Sequence, residues 1–574
     1  MPDTTKGAPR VELDYSKSPR DFFFAPGVDP GLWTTAPLPE MWTTRAPGRI
    51  AAASVAEHPP FAEQIESHID THFRRRTFKK ALVLNTVPVV LENLTTKGHF
   101  LAVNGKYLLT GAAGTRLRNR YAWRSGKPDQ ADADTAAYFA DLQQIDPLPP
   151  VWSGPLDGLD FVIDARNTFN FYHFLTETLG LLCAVDQDDF HGRVQVHCNN
   201  SDVRPFIQAW VDDLFPELRG RVSFHSGTHH YDRSLSLLNA RHLYYQSGAR
   251  VMADLDEIAP TSQYWQGRIP DRMSLSLLAM NSCDEMLVRL REKALRRIAD
   301  KNWEHLPRRF WVGRKSDRVR PMAGEADFTA ALRDRGLEMV YFEDYSPLEQ
   351  VALMSRAEIV ISAHGAGFAN MIFAGPNTHC IEIGHLQTCV FRWQDFMPHV
   401  LVSGCRYTSL FADFNVQTPL DELEIRSHPL WPIRLASEGC RRALSYVDAI
   451  LGETREADAA WVARMADMLA RTEDGAALQR LLEGHPDMVA SDPDLLIHRA
   501  NLHLDAGEDV AGRALLERAW EATGDRPFLL ERLILLYDRA GLPAPWEDLH
   551  RQRYPKRSGV LGKKLRRQRR LAKG

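Results

Sequence analysis

Residues of the right type and spacing for general-base chemistry occur near the middle of the sequence. His173 and Glu177 are spaced i, i+4 on a predicted helix, so a carboxylate lies one turn from an imidazole. A carboxylate in that place holds the tautomer of the ring and raises its basicity, which suits a base that takes a proton from a hydroxyl group. The alternative is a buried histidine whose polar atoms are satisfied within the fold.

A second candidate site is the glycine-containing turn His364-Gly365-Ala366-Gly367, between a predicted buried strand and a predicted helix. Glycines allow the backbone to approach a phosphate, and the free N–H groups at a helix N-terminus favour an anion. His364 could add a hydrogen bond or a positive charge to a diphosphate. The alternatives are a tight turn with nothing bound and an esterase oxyanion turn, although the GxSxG elbow that an esterase needs is absent from the sequence.

Two further charged residues lie at the ends of predicted strands in the same half of the chain. Arg314 follows the strand 309–313, and its permanently charged, forked guanidinium fits a phosphate or a carboxylate. A solvated basic loop is the alternative, since Lys315, Arg318 and Arg320 follow closely. Glu382, on the strand after the glycine turn, could accept two ribose hydroxyls or pair with an arginine.

These residues must be positioned by alternating strands and helices. In the first half, the pattern predicts a βαβαβ unit with strands at 159–164, 193–198 and 222–224 and helices at 170–185 and 203–214. Within the first of these helices, Phe171, Phe174, Leu175 and Leu182 are expected to form the stripe that faces the core. A further amphipathic helix, from about 274 to 299, is expected to close this half, with Leu287, Leu290, Ala294 and Ile298 on one face.

The second half repeats the alternation more clearly. Strands are predicted at 309–313, 337–342, 358–362 and 379–383, and the helices between them end at Gly336 or begin with the capping box of Ser346 and Glu349. Repeated βα units with short loops predict a parallel sheet covered by helices on both faces. Two such halves form a cleft, which is a common place for a ligand.

The segments outside these two halves have their own patterns. Residues 1–78 are rich in proline and polar residues and are predicted to be an irregular extension, followed by strands at 81–91, near Phe100 and at 107–109. The Ala/Asp-rich stretch 130–140 and the proline-rich stretch 146–155 are predicted to be a linker. The organisation is therefore an extension (1–78), an N-terminal lobe (79–300), a C-terminal lobe (301–454), helical repeats (455–546) and a basic tail (547–574).

The helical repeats have a period of 34 residues. Pro493 and Pro527 are separated by this interval, as are Leu496 and Leu530. The period is that of tetratricopeptide repeats, in which each unit needs neighbours to bury its apolar face. With two or three degenerate copies, the region is interpreted as a structural appendage, with a partner-binding surface as the alternative.

Charge is distributed unevenly along the chain. The formal net charge is −4, but residues 549–574 contain eleven Lys or Arg and no acidic residue. We expect such a tail to contact an anionic membrane surface, and nucleic-acid binding is less favoured. The alternative is a solvated end that binds no partner. No apolar run reaches the length of a transmembrane helix, and the N-terminus is polar. These features predict a soluble cytoplasmic protein, which could also associate with the inner membrane face.

Metal and disulfide sites are not expected. Seven scattered cysteines without a CxxC pair indicate reduced thiols. Asp-x-Asp pairs can hold a metal-bound nucleotide, but none of the pairs here follows a predicted buried strand, and we interpret them as chance. The pairs are Asp132/Asp134, Asp186/Asp188, Asp254/Asp256 and Asp492/Asp494.

Taken together, the ordered motifs resemble glycosyltransferase family 61, over roughly residues 159–407. The resemblance depends on Asn170-Phe-Tyr-His173-Phe, on Arg314 with downstream Gly324-Glu325, on Leu348-Glu-Gln-Val, on His364-Gly-Ala-Gly-Phe-Ala-Asn370 and on Cys380-Ile-Glu382-Ile. The family implies a GT-B fold of two Rossmann-like domains, a nucleotide-sugar donor held mainly by the C-terminal domain, inversion at the anomeric carbon and no obligatory metal. Its members include transferases of the capsular-polysaccharide type.

We therefore expect an inverting glycosyltransferase that uses a nucleotide sugar as substrate and needs no cofactor. The acceptor is a glycan or protein hydroxyl, and His173 with Glu177 is the predicted catalytic pair. A non-catalytic binding protein that retains a nucleotide-binding Rossmann-like fold is the alternative. The residues predicted to bind the donor are Arg314, His364, Gly365, Ala366, Gly367, Asn370 and Glu382.

Overall fold

The computed structural model divides the chain into two compact units. The first unit comprises Met1–Arg49 and Ala56–Leu435, and the second comprises Ile50–Val55 and Ala436–Gly574. The structure describes residues 13–75, 78–145, 147–165, 168–185, 190–199, 203–239, 280–315, 322–416, 425, 430–453, 455 and 457–571.

A mixed sheet forms the N-terminal half of the first unit. Its strands Phe161–Ala165 and Val194–Cys198 are buried along their whole length and pair in parallel, and Val222–His225 extends this parallel part. The crossovers are the helical segment 171–184 and the helix Pro205–Leu214. These elements confirm the predicted βαβαβ order.

Antiparallel strands complete this sheet. The long strands Thr228–Asn239 and Thr86–Lys97 pair from Thr228 opposite Lys97 to Asn239 opposite Thr86. The predicted strand 81–91 is divided at Asn85, and its first part, Ala81–Leu84, belongs to a separate three-stranded sheet. Its partners there are Trp42–Arg45 and Ser282–Asp284. The shorter strands beside Thr86–Lys97 are Leu32–Thr34, Phe100–Val103 and Lys106–Tyr107.

Two segments predicted to lack regular structure are ordered. In the predicted linker, the helix Pro128–Ile145 buries Ala131, Thr135, Phe139 and Leu142. These residues recur at helical spacing, a periodicity that the Ala/Asp-rich composition concealed. Ordered elements also occupy the predicted irregular extension. They are Pro19–Phe22, Leu32–Thr34, Trp42–Arg45, Arg49–Ser54 and the helix Pro59–Arg75. Outside that extension, the helix Gly111–Arg124 follows the strand Lys106–Tyr107.

A second sheet forms the C-terminal half of the first unit. Five neighbouring strands pair in parallel. In spatial order they are Glu338–Val340, Arg309–Val312, Ile359–Ala363, His379–His385 and Arg406–Phe414, and the short Ile433–Arg434 adds antiparallel to the last. The elements between them are Glu325–Arg333, Phe342–Asp344, Pro347–Arg356, Ala366–Phe373, Leu386–Phe391, Trp393–Phe396 and Met397–Ser403.

Local signals in this half are confirmed by the structure. Ser346 and Glu349 form the predicted capping box at the start of the helix Pro347–Arg356, and Gly336 has a φ of +76° after the preceding helix. The helix predicted from about 274 begins later, at Glu285, because Ser282–Asp284 forms a strand and Asp284 caps the helix. Residues 274–279 lie outside the described residues. The predicted face of this helix is buried.

The second unit is helical beyond Ala436. The helices Pro493–Asp505 and Pro527–Arg539 begin 34 positions apart, have 13 residues each, and are followed by Gly507 and Gly541 with φ of +80° and +68°. The sequence period therefore corresponds to repeated helices, while the tetratricopeptide assignment stays a prediction. The other helices are Ser437–Leu451, Ala459–Arg471, Gly475–Gly484, Pro486–Ser491, Asp509–Thr523, Glu547–Arg553 and Pro555–Leu571.

The basic C-terminal segment is helical and docks within its own unit. Leu561 and Leu565 of the helix Pro555–Leu571 are buried, and Arg557 Nε lies 2.6 Å from a carboxylate oxygen of Glu531. Lys564 pairs with the same carboxylate at 3.3 Å. Part of the positive charge is thus used inside the protein. Among the described residues, no helix is long and apolar enough to span a bilayer.

Candidate functional site

His173 lies on a helical segment that changes its winding. Asn170 caps the segment by accepting a hydrogen bond from the His173 N–H at 3.4 Å, and one α-helical turn then widens into a π-helical turn at Phe174–Thr178. The sequence had predicted a single helix over 170–185. Single π-helical turns are frequent at functional sites because they shift the direction of side chains. Here the buried Phe174 anchors the segment, while His173 and Glu177 remain partly exposed.

The predicted histidine–carboxylate contact is present. His173 Nδ1 lies 2.9 Å from Glu177 Oε1, and the two side chains are 15% and 17% exposed. The hydrogen bond to Glu177 assigns the proton of the neutral ring to Nδ1, so Nε2 is the basic nitrogen. The pair therefore has the arrangement that a general base requires.

The same segment is held against the turn Trp393–Phe396 and the helix that follows it. Tyr172 donates its hydroxyl proton to the Asp395 carbonyl at 2.8 Å, and Thr176 Oγ1 lies 2.8 Å from His399 Nε2. His399 is fully buried, and this burial lowers its pKa to about 3, so it is neutral at physiological pH. These two contacts fix the orientation of the His173 helix relative to the C-terminal half.

His173 and Glu177 line a cavity of about 490 Å³. This volume lies within the range of small-molecule sites. The lining from the N-terminal half includes Asp164, Ser236 and Asn239, and the C-terminal half contributes Arg392, Gln394 and Asp395. Both halves therefore supply polar side chains, which suits a ligand rich in hydroxyl groups.

Arg314 lies directly beside the glycine turn. Its Nη2 donates to the carbonyl oxygens of Ala363 at 3.2 Å and His364 at 2.5 Å. Burial lowers the pKa of Arg314, with nearby Glu325 and Glu343 opposing the shift, but a guanidinium keeps its charge throughout the physiological range. The structure thus places a fixed positive charge against the turn, as a phosphate site would need.

At Gly365 the structure shows a close approach of the Arg314 side chain, while the predicted approach of the backbone to a phosphate stays a prediction. The φ of this glycine, 175°, is extended backbone that any residue adopts, but a Cβ at this position would lie 2.8 Å from Arg314 Cζ. The missing side chain makes room for the guanidinium. By contrast, a Cβ at Gly367 would meet Phe342 at an ordinary 3.5 Å. Ala366 and Gly367 begin the 3₁₀ helix Ala366–Phe373, which is the helical element predicted after the glycine turn.

Glu382 orients His364. Its Oε1 lies 2.5 Å from His364 Nδ1, and its other oxygen accepts the hydroxyl proton of Tyr407. Burial and the adjacent carboxylate raise the pKa of Tyr407, so the phenol remains a donor. Because Glu382 is 1% exposed and engaged on both oxygens, the predicted contact with a ribose is replaced by a second histidine–glutamate pair.

Asn370 belongs to the scaffold. Its side chain is fully buried, and its amide donates to Gln350 Oε1 at 3.0 Å. Gln350 in turn donates to the carbonyl oxygens of Phe342 and Tyr345 at 2.9 and 3.0 Å. The asparagine therefore ties two helical elements together, and the structure does not bring its side chain to the surface beside Arg314.

The space beside Arg314 and His364 is small. Among the described residues it measures about 10 Å³, with Thr388 and Trp431 in its wall. A nucleoside diphosphate is far larger, so the described residues do not form an open donor pocket at this point. Of the basic residues after Arg314, Lys315 pairs with Asp344 at 2.5 Å, and Arg318 and Arg320 lie outside the described residues.

Phe396 connects the two histidine–glutamate pairs. Its ring centroid lies 5.6 Å from the His364 ring and 5.7 Å from that of Tyr172, the neighbour of His173. The preceding residue, Asp395, lines the cavity and was missed by sequence reasoning. A single carboxylate in a short turn has no spacing signal that would have identified it. Burial raises the pKa of Asp395 against the opposing effects of His364, Arg392 and His173.

No group of three metal-ligating side chains is assembled in the part of the chain that the structure describes. Asp132 and Asp134 lie on the helix Pro128–Ile145, and Asp492 caps the helix Pro493–Asp505. The pairs Asp186/Asp188 and Asp254/Asp256 lie outside the described residues.

Comparison with known protein families identifies one match. Residues 171–381 match the family model described as Glycosyltransferase 61, which confirms the resemblance found from the motifs and supports glycosyltransferase activity. The match spans a little more than a third of the chain and begins at the His173 helix. No curated protein matches the sequence.

Proposed function

We propose that the chain transfers a sugar from a nucleotide-sugar donor to a hydroxyl of a glycan or protein acceptor, with inversion at the anomeric carbon. The observation that supports it is the presence of two histidine–glutamate pairs in the first unit, one on the 490 Å³ cavity and one beside Arg314. The first pair suits proton removal, and the second lies where a positive charge can meet a diphosphate.

The proposed reaction is a single displacement. Nε2 of His173 takes the proton of the acceptor hydroxyl while the hydroxyl oxygen bonds to the anomeric carbon. The bond from that carbon to the diphosphate oxygen breaks, and its electron pair leaves with the nucleoside diphosphate. Arg314, His364 and the backbone amides of residues 365–367 stabilise the negative charge that develops there. This charge takes the place that a divalent metal has in other transferases.

The geometry changes two roles within this proposal. Glu382 acts on His364 rather than on the nucleoside, since both of its oxygens are engaged inside the protein. Asn370 holds the helical element after the glycine turn in place through its hydrogen bond to Gln350. The donor must then be held by Arg314, His364 and the amides of the turn. A donor of this size needs the 10 Å³ cleft to widen on binding.

The architecture suits a two-lobed GT-B-like transferase with a tetratricopeptide-like appendage, acting in cell-surface polysaccharide biosynthesis. We extend the proposal to an anionic membrane surface, contacted by the cations of the terminal helix that are exposed and not used in docking. They are Lys556, Lys563, Arg566, Arg567 and Arg570. Changing these five residues to Gln should abolish sedimentation with anionic vesicles but leave thermal unfolding unchanged; binding that persists would contradict this extension.

The function is tested with the purified full chain and a panel of nucleotide sugars. Donor hydrolysis and transfer to acceptor glycans are measured together with the thermal shift that each donor produces. A transferase is expected to hydrolyse or transfer at least one donor, and His173→Gln should lower the rate by about 10²–10⁴-fold without changing the thermal shift. A donor that binds but is neither hydrolysed nor transferred would indicate the binding-protein alternative.

A further inference from the structure

Asp395 is the carboxylate that the C-terminal half contributes to the cavity lining among the described residues. It lies in the turn Trp393–Phe396, whose two aromatic end residues are buried. Its own carbonyl oxygen accepts the hydrogen bond from the Tyr172 hydroxyl at 2.8 Å. The backbone at Asp395 is therefore fixed from both halves, while 27% of its side chain remains exposed.

Charged and titratable groups surround this carboxylate. The charges of His173 and His364, one from each histidine–glutamate pair, influence the pKa of Asp395. The charge of Glu382, the partner of His364, influences it too. Arg392 approaches it as well, with Nη1 at 3.9 Å from Oδ2. Burial is the largest influence and raises the pKa of Asp395, Glu382 adds to it, and the two histidines and Arg392 oppose it. The turn that carries this carboxylate contacts both sites, through Tyr172 next to His173 and through the Phe396 ring against His364.

Two other carboxylates of the cavity wall, those of Glu177 and Asp284, bind groups of the protein itself. Glu177 holds Nδ1 of His173 at 2.9 Å. Asp284 accepts hydrogen bonds from Thr86 Oγ1 and from the Met286 N–H, both at 2.8 Å, and caps its helix. Asp395 has only the long contact with Arg392 among its ion pairs in the described residues. Asp395 therefore has the capacity to accept a hydrogen bond from a ligand.

We propose that Asp395 is a further catalytic residue of the transfer reaction, which accepts a hydrogen bond from a second hydroxyl group of a glycan acceptor and stabilises the positive charge formed on His173 and the anomeric carbon. The inference rests on the proposed function. The hydroxyl proton goes to His173 Nε2, the new carbon–oxygen bond forms, and the leaving diphosphate takes the electron pair of the broken bond. Asp395 stays ionised throughout and neither gains nor loses a proton.

The variant Asp395→Asn tests this role because it removes the charge and keeps the size and the backbone bond from Tyr172. We expect kcat to fall by about 10²-fold with little change in donor KM or melting temperature. The pH profile supplies a readout that a structural role would not move. Since the carboxyl must be ionised and its pKa is raised, activity falls as pH falls through that pKa, and the acidic limb of kcat/KM should become shallower in the Asn variant.

Two companion variants make the result decisive. Asp300→Asn changes an exposed aspartate of the same unit and should behave as wild type. Asp395→Glu retains a carboxylate and should keep the acidic limb and part of the activity. An Asn variant with a wild-type rate and pH profile would overturn the proposal, as would equal loss in the Asn and Glu variants with early melting of both. A wild-type chain without hydrolysis or transfer would instead refute the proposed function itself.

Discussion

The close approach of Arg314 to Gly365 leads to a specific prediction for Gly365→Ala. A Cβ at Gly365 would lie 2.8 Å from Cζ of Arg314 and closer still to Nη2, so the guanidinium must move away. The extended φ of 175° accepts alanine without strain. The effect of the substitution should therefore arise from displacement of the arginine and not from the backbone.

The magnitude follows from the hydrogen bonds that the arginine would lose. Nη2 donates to the carbonyl oxygens of Ala363 and His364. Hydrogen bonds of a charged group contribute about 1.5–3 kcal/mol each, and each 1.4 kcal/mol corresponds to a factor of ten. In the proposed function the displaced guanidinium also loses a hydrogen bond of this kind to the diphosphate, which should lower kcat/KM for the donor by about 10–100-fold in Gly365→Ala.

The glycine turn offers its own control. A Cβ at Gly367 would lie 3.5 Å from Phe342, an ordinary van der Waals contact, so Gly367→Ala should stay within about threefold of wild type. A double-mutant cycle adds the stronger test. Once Arg314→Ala has removed the guanidinium, Gly365→Ala has nothing to displace and should cost nothing further.

The assay is donor turnover by the four proteins of the cycle, with thermal unfolding of each. Two results would refute the reasoning. One is a Gly365→Ala variant no more impaired than Gly367→Ala. The other is full additivity of the Arg314→Ala and Gly365→Ala penalties, because residues that act through one contact must show coupling.

Two further predictions concern stability. Asn370→Ala should lower the free energy of unfolding in urea by about 1–3 kcal/mol, because the buried Gln350 oxygen loses its donor. The donor KM should stay unchanged. A raised KM with unchanged stability would restore the donor-binding role predicted from the sequence. His399 is neutral in the fold, with a pKa lowered to about 3, whereas the unfolded ring takes up a proton below about pH 6.5. As pH drops from about 6.5 towards 3, this group should therefore lower the free energy of unfolding by up to about 1.4 kcal/mol per pH unit. In urea unfolding measured across this pH range, His399→Gln should reduce the slope of stability against pH. An unchanged slope would count against a buried neutral ring.

Much of the fold could be predicted because its signals are local. The apolar runs at Phe161–Ala165 and Ile359–Ala363 indicated buried strands, and the capping box at Ser346 marked the start of a helix. The segments that prediction missed are those whose apolar residues are spaced within a polar composition. The helix Pro128–Ile145 is one, since Ala131 and Thr135 on its buried face do not stand out as hydrophobic.

The candidate site divides in the same way. The contact of His173 with Glu177 followed from a spacing of four residues, because neighbouring turns of one helix bring such side chains together whatever surrounds them. The exact winding at this point, a π-helical turn at Phe174–Thr178, did not follow from the spacing. The contact is therefore a property of the sequence, and its direction into the cavity is a property of the fold.

What the sequence alone determined is the set of elements and motifs, because periodicity, caps and turns act over a few residues. The partners of those motifs were decided by the tertiary structure. The register of parallel strands places Glu382 opposite Ser362, within reach of His364, and the docking of the Trp393–Phe396 turn brings Asp395 into the cavity. These contacts join residues from separate elements, whose distances in space depend on the packing of the whole unit and on no local pattern.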